Sequence, residues 1–270
     1  MPGTEKKYFL PLGEDCQLGA ALNFYGYKES SLLKWAKISS DKLRNAFLDD
    51  FREIYDEQFA DVFFRPTKGK KGIIGNRNIE LPRNGGWGAY DDYMKILDQF
   101  HPAQIFNTAV IDKERGFTHG IQVSYSELKI LRKQDIKEKN QEKITYLKKK
   151  TLHALNNTEQ NLILIRAQRK LNPGIIRNLN QVFDTVSSMR PPDSFKFYII
   201  TLARNYHQLS CSFTGGMMLR VFKILSPPSN PMLLQYCYPE WKKLFFSLGV
   251  PVQSKDRKLK YFSGFEDTEA

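Results

Sequence analysis

The sequence predicts an α/β fold in a single domain, with a mainly parallel sheet flanked by helices. Two observations predict it. Short apolar runs typical of buried strands alternate along the chain with segments of helical periodicity. With 270 residues, of which 41% are hydrophobic and 13% aromatic, the chain can bury a sizeable core. Wholesale disorder is therefore excluded.

The first elements are a strand and two helices. Tyr8–Leu12 is an apolar run that closes at Gly13, and the helix after it places Leu18, Leu22 and Tyr25 on one side. A second helix is expected over Ser40–Tyr55, with a serine or aspartate at 39–41 as its cap. Residues 8–60 thus form an N-terminal strand-helix unit that carries Cys16.

The middle of the chain is less regular. Residues 65–92 hold six glycines and two prolines, which predicts a long irregular loop or a hairpin. Gln104–Ile111 is expected to be a strand. The segment after it, which contains His119 between two glycines, is expected to be a turn that leads into a long helix.

The remaining elements complete the alternation. The strands expected are Asn161–Arg166, Phe195–Leu202 and a strand or strand pair in 213–225. The helices expected are one opened by Asn172-Pro173 and one that starts at Pro239 and ends at Gly249. We expect 100–250 to be the core of a single domain over 1–270, and 251–270 to be a basic tail.

The charge of the chain is strongly positive and unevenly distributed. The formal net charge is +12, and the sequence pI is about 9.4. Nine basic and three acidic residues lie between Lys129 and Lys150, so half of the excess belongs to one amphipathic helix. This pattern is typical of a solvated helix face, and a dedicated polyanion site is the alternative. Nucleic acid is therefore a less favoured partner that stays possible.

Composition also excludes several classes of protein. No apolar run approaches the roughly 20 residues of a membrane-spanning helix, and the start lacks the apolar segment of a secretory signal. The three cysteines are far apart and odd in number, which predicts free thiols and a cytoplasmic protein. The sequence contains no phosphate-binding, dinucleotide-binding or zinc-peptidase motif, so we expect no metal and no cofactor.

Reactive side chains follow several of the predicted strands. In open α/β sheets, ligands bind beyond the carboxyl ends of the strands. The residues that come after strands here, and that are therefore candidates for one site, are Cys16, His119, Arg166, Arg169, Arg204 and His207.

Cys16 is the most specific of these candidates. At the first turn of a helix its thiolate would be stabilised by the helix dipole, and backbone N–H groups near Gln17 would hold an oxyanion. His119 would act as general base to the thiol. The alternatives are that Cys16 is a small buried residue and that His119 is an exposed loop histidine.

The strand-end arginines indicate an anionic ligand. Arg166, Arg169 and Arg204 could bind phosphate or carboxylate groups through two hydrogen bonds each, and His207 could assist them. Ion pairs with nearby acids are the alternative.

The N-terminal run FLPLGEDCQLGAALNFYGYKESSLLKW resembles the start of a family of mostly bacterial domains of unknown function that are classed as papain-like cysteine peptidases. The matching positions are Leu12, Gly13, Cys16, Gln17, Gly26, Lys28, Ser30 or Ser31, and Trp35. The later matches are Phe117 with His119, the long charged helix, and Ile165-Arg166. The similarity covers residues 8–205.

The resemblance implies that Cys16 is a nucleophile and that His119 is its base. Two positions depart from the family pattern, because Lys34 stands where the family has an aspartate and Gly120 stands where an aspartate often follows the histidine. No third residue that would orient the imidazole can be assigned.

Three hypotheses for the function result. The first is a cysteine-dependent hydrolase or acyl-transfer enzyme, with Cys16 and His119 in the site and Arg166 orienting an anionic part of a small-molecule, peptide or glycan substrate. The second is a glycosyltransferase whose strand-end arginines bind the diphosphate of a nucleotide sugar. The third is a non-enzymatic polyanion-binding module that uses the Lys129–Lys150 face.

Overall fold

The computed structural model describes the chain in seven stretches: residues 7–14, 17–67, 79–82, 86–168, 171–202, 216–222 and 238–249. Its elements in chain order are β1 (Lys7–Pro11), α1 (Gln17–Phe24), α2 (Ser40–Leu48), β2 (Ala60–Pro66), β3 (Gly88–Ala89), α3 (Tyr90–Met94), β4 (Ile105–Asp112), β5 (Gly116–Ser124), α4 (Tyr125–Ile130), α5 (Lys133–Asn156), β6 (Asn161–Ala167), α6 (Pro173–Met189), β7 (Phe195–Leu202), β8 (Met217–Phe222) and α7 (Tyr238–Ser247).

The predicted α/β class is confirmed. Four strands form a parallel sheet in the order β1-β6-β7-β8, and helices flank it. The chain divides into two compact units. The described residues of 1–50 and 150–270 form the first unit, which contains this sheet, and residues 51–149 form the second. The single domain over 1–270 stays a prediction.

The core of the first unit lies on both faces of the parallel sheet. On one face, Phe9 of β1 and Ile163 of β6 belong to a buried cluster with the apolar sides of α1 and α7. On the other face, Leu10 and Leu164 are fully buried. Because both faces are covered, the strands are nearly continuous apolar runs, which made them recognisable in the sequence.

Helix α6 begins as its local sequence predicts. The side chain of Asn172 accepts a hydrogen bond from the backbone N–H of Ile175 at 2.9 Å, and Pro173 occupies the first turn, where its missing N–H is not needed. Phe183 on its buried side contacts Phe195 at the start of β7, with 5.2 Å between the ring centroids. The cap and the apolar side together fix this helix.

Helix α2 is shorter than predicted. It ends at Leu48 instead of continuing to Tyr55, because the backbone enters the left-handed region at Asp50, Phe51 and Tyr55. Phe51 and Tyr55 remain fully buried, although they lie beyond the end of the helix.

The second unit contains an antiparallel sheet that the sequence did not predict, in the order β3-β2-β4-β5. The expected strand near 104–111 exists as β4, but it pairs antiparallel with β2 and β5. The expected irregular stretch 65–92 is described only in part, and β3 lies within it. A buried cluster packs against one face of this sheet; its members include Phe64, Phe106, Val123 and Ile136.

A close approach between β5 and α5 requires a glycine. A Cβ atom at Gly120 would collide with the Asn140 side-chain oxygen and with the Thr108 hydroxyl. Asn140 accepts hydrogen bonds from that hydroxyl at 2.9 Å and from the backbone N–H of Ile121 at 3.1 Å.

No helix in the described stretches is long and apolar enough to cross a bilayer.

We predict that Gly120→Ala lowers the free energy of unfolding by about 1–3 kcal/mol, because the added methyl group must displace Asn140 or Thr108. Gly174→Ala is the matched control, since its Cβ would meet only the Asn172 side-chain oxygen, at 3.4 Å, in ordinary contact. Urea unfolding monitored by circular dichroism measures both. Equal effects of the two substitutions would contradict the packing described here.

Candidate functional site

The structure describes only part of the predicted site. Cys16, Arg169, Arg204 and His207 lie outside the described residues. Gln17 is the first residue of α1, and its side chain also lies outside the description. The remaining candidates are Arg166 in the first unit and His119 in the second.

Arg166 is fully buried near the end of β6, next to the carboxyl end of β1. Its Nη1 donates to the carbonyl oxygens of both Leu12 and Gly13, and its Nη2 donates to that of Ile38 at 2.8 Å. Its Nε donates to the side-chain oxygen of Gln168 at 2.9 Å. The guanidinium therefore holds three backbone segments together.

These contacts correct the role predicted for Arg166. The sequence indicated that its guanidinium binds an anionic part of the substrate. In the structure its donors are directed at protein carbonyls, because the side chain turns inward from the strand instead of reaching beyond it. Arg166 positions the turn that precedes Cys16 in the chain.

The same turn is packed tightly against the segment 31–38. A Cβ atom at Gly13 would lie 2.6 Å from the carbonyl oxygen of Leu33, and one at Gly19 in α1 would collide with the carbonyl oxygen of Lys34. Contacts of this kind exclude any side chain at either position. The glycines allow α1 and the turn before it to lie directly on the 31–38 backbone.

Lys34 is a buried structural lysine with 1% of its surface exposed. It stands at the position where the family that the sequence resembles has an aspartate. Its Nζ donates to the side-chain oxygen of Asn23 at 2.7 Å and to the carbonyl oxygens of Tyr27 and Glu29 at 2.9 and 2.8 Å. All three ammonium donors are used. Burial lowers the pKa of Lys34 to about 8.

His119 lies on a strand. The turn was predicted to include it, but the turn is confined to 113–115 and β5 begins at Gly116. Opposite it on β4 is Ala109. Its imidazole is half-buried, with ring centroids 6.0 Å from Trp87 and 5.9 Å from Phe117. His119 therefore lies on a strand between two aromatic rings. The alternative that it is an exposed loop histidine is wrong.

The electrostatic environment keeps this imidazole neutral. Burial lowers the pKa of His119, and the positive charges of Lys143 and Arg65 lower it further. A histidine whose usual pKa is about 6.5 is then neutral at neutral pH and able to accept a proton. This is the protonation state that a general base requires.

Helix α5 fixes the strand directly after His119. Asn140 accepts a hydrogen bond from the backbone N–H of Ile121, and the Lys143 ammonium donates to the carbonyl oxygen of Gly120. Gly120 therefore serves this close contact with α5, which explains why a glycine occupies the position after the histidine. Asn140 was not predicted from the sequence. The available signal was a polar residue among the apolar residues on the buried side of the helix.

Most of the basic residues between Lys129 and Lys150 have partners within the protein. Ion pairs with carboxylates engage Lys129, Arg132, Lys133, Lys139 and Lys150. Lys143 and Lys148 donate to backbone carbonyl oxygens. Seven of the nine cations are engaged in this way, although several of these ion pairs lie at exposed positions. The single helix predicted here is divided, because Lys129 belongs to α4 and Arg132 lies between α4 and α5.

Comparison of the chain with models of known families, with curated proteins and with solved structures finds no match. The resemblance to papain-like cysteine peptidases therefore remains an expectation. Among the described residues, no group of three or more histidine, cysteine, aspartate or glutamate side chains could hold a metal ion.

We predict that Arg166→Met lowers the free energy of unfolding by about 3 kcal/mol or more, because it leaves several buried carbonyl oxygens without donors. Arg132→Met, which removes an exposed guanidinium paired with Asp135, is the control and should change stability by about 0.5 kcal/mol or less. A denaturant midpoint for Arg166→Met within error of the control would disprove the positioning role.

We predict a pH-dependent contribution from Lys34. Because its folded-state pKa of about 8 lies below the ordinary 10.5, the cost of burying the ammonium is fully present below pH 8 and is relieved as the pH rises towards 10.5. Relative to Lys34→Met, the wild-type protein should gain about 2 kcal/mol of unfolding free energy between pH 7.5 and 10. Parallel stability curves of the two proteins would contradict this.

Proposed function

We propose that this protein is a cysteine-dependent hydrolase or acyl-transfer enzyme in which Cys16 is the nucleophile and His119 the general base. The proposal rests on the sequence resemblance and on one structural observation: Leu12 and Gly13, shortly before Cys16 in the chain, are held by the buried Arg166 and by the close packing of Gly13. A fixed backbone near a nucleophile favours a preorganised site.

The proposed chemistry uses two proton transfers in the acylation of Cys16 and two in its deacylation. A ring nitrogen of His119 takes the proton of the Cys16 thiol, and the sulfur attacks the carbonyl carbon of the substrate. The resulting oxyanion accepts hydrogen bonds from backbone N–H groups in the first turn of α1, near Gln17. As the intermediate collapses, the imidazolium gives its proton to the leaving group. Water, or an acceptor in acyl transfer, then attacks the thioester carbonyl and gives its proton to His119. The C–S bond breaks, the acyl product leaves, and the imidazolium returns the proton to the Cys16 sulfur.

His119 supports this mechanism through its protonation state. Since burial and two nearby cations lower its pKa, the ring is neutral and can accept the thiol proton at neutral pH. No orienting third residue is assigned. We further propose a cytoplasmic protein without a resident cofactor, acting on a small-molecule, peptide or glycan substrate.

The glycosyltransferase alternative loses its principal support. Arg166 donates to protein carbonyls, so the binding of a nucleotide diphosphate would depend on Arg169 and Arg204, which lie outside the described residues. Nothing in the described part of the chain favours that alternative over the hydrolase.

We predict that iodoacetamide alkylates Cys16 at least about 10-fold faster than Cys211 or Cys237 at pH 7, because a reactive cysteine carries a lowered thiol pKa. Quantitative peptide mass spectrometry measures the three rates in one sample. Cys16→Ser is the control that assigns the fast phase, and His119→Gln should slow it. A Cys16 rate that matches the other two cysteines and rises only towards pH 8.5 would reject the nucleophile.

A further inference from the structure

One face of the antiparallel sheet collects the side chains around His119. Ala109 of β4 lies opposite both Phe63 of β2 and His119 of β5, so these three residues share one face. Arg65 is two residues along β2 from Phe63. We call the half-buried residues Arg65, Trp87 and His119 the His119 face. The core cluster, which includes Phe64 and Phe106, lies on the opposite side of the sheet.

Arg65 and Trp87 are held beside each other on this face. The guanidinium carbon of Arg65 lies 6.0 Å from the centroid of the Trp87 ring, in cation-π contact. The backbone before Trp87 is fixed, because the Tyr93 hydroxyl donates to the carbonyl oxygen of Gly86, whose φ of +79° suits a glycine. Arg65 is therefore presented from β2, and Trp87 from the constrained backbone directly before β3.

The Arg65 guanidinium has no carboxylate partner in the part of the chain that the structure describes. The acid-base pairs there engage other cations, such as Arg115 with Glu53 and Lys129 with Asp98. A guanidinium without a carboxylate partner is available to an external carboxylate, which it can bind through two parallel hydrogen bonds.

We propose that Arg65, Trp87 and His119 bind a ligand that carries a carboxylate on an aromatic group. The carboxylate would bind the Arg65 guanidinium, and the aromatic group would pack against the Trp87 ring. His119, 6.0 Å from Trp87 between ring centroids, borders the same ligand. As the substrate class of the enzyme this rests on the proposed function, whereas binding itself does not require the Cys16 thiol.

The electrostatics of the face agree with an anionic ligand. Burial is the main cause of the lowered pKa of His119, and the positive charges of Lys143 and Arg65 lower it further, so both cations contribute a positive potential at the ring. A bound carboxylate would oppose that potential and raise the pKa of His119. The pKa of His119 therefore shows directly whether a carboxylate is bound at this face.

The experiment uses benzoate as the probe and the Cys16→Ala protein, in which alkylation and turnover play no part. The carbon-bound ring protons of the histidines and the indole N–H of Trp87 are followed by NMR, with assignments from His119→Gln and Trp87→Phe. We expect benzoate to shift both signals saturably and to raise the pKa of His119. Arg65→Gln should weaken binding at least about 10-fold, because it removes the charged partner that donates hydrogen bonds to the carboxylate.

Two controls separate the parts of the proposal. Benzyl alcohol, which keeps the ring without the charge, should bind much more weakly than benzoate. Arg132→Gln removes an exposed guanidinium elsewhere in the second unit and should leave benzoate binding unchanged. Binding of benzyl alcohol as tight as that of benzoate, an unchanged affinity in Arg65→Gln, or the absence of saturable shifts would each overturn the proposal.

The result can be separated from that of the alkylation experiment. Fast alkylation of Cys16 without benzoate binding would remove this ligand class and leave the proposed enzyme intact. Benzoate binding lost in Arg65→Gln, together with slow alkylation of Cys16, would establish the binding site and reject the cysteine chemistry.

Discussion

The first unit depends on one buried cation. The Arg166 guanidinium ties the end of β1, the segment before α2 and its own strand together through carbonyl acceptors on Leu12, Gly13 and Ile38. A buried charge is costly unless every donor is satisfied, so this arrangement tolerates little displacement of the segments around it. The close packing of Gly13 on Leu33 adds a steric constraint at the same point. The Arg166 hydrogen bonds and the packing of Gly13 both act on the segment that leads towards α1.

The first unit was largely predictable from sequence, and the second was not. The strand β6 and the Asn172-Pro173 start of α6 carry signals within a few residues of chain. Strand β5 instead contains two glycines and polar residues, which locally indicate a turn. It is a strand because it pairs with β4 and because Gly120 lies against Asn140, and neither contact is visible in a local pattern.

The candidate site shows the same limit at the level of single residues. Arg166 was recognised as important, but its position after an apolar run does not distinguish a guanidinium that binds a ligand from one that binds backbone carbonyls. Arg65 was missed, because the lack of a carboxylate partner and the contact with Trp87 are properties of the folded sheet. Most of the cations between Lys129 and Lys150 are paired with other groups of the protein, and these pairings too are properties of the folded chain.

The pairing of β1 with β6 has a consequence for biosynthesis. Lys7 lies beside Asn161 in the parallel sheet, so β1 lacks its described partner β6 until the second unit has been synthesised. At about 5–20 residues per second, this delay is on the order of ten seconds. The continuous stretch 51–149 can form its own sheet during that time. The backbone N–H and C=O groups of β1 that later pair with β6 have no partner strand in that interval.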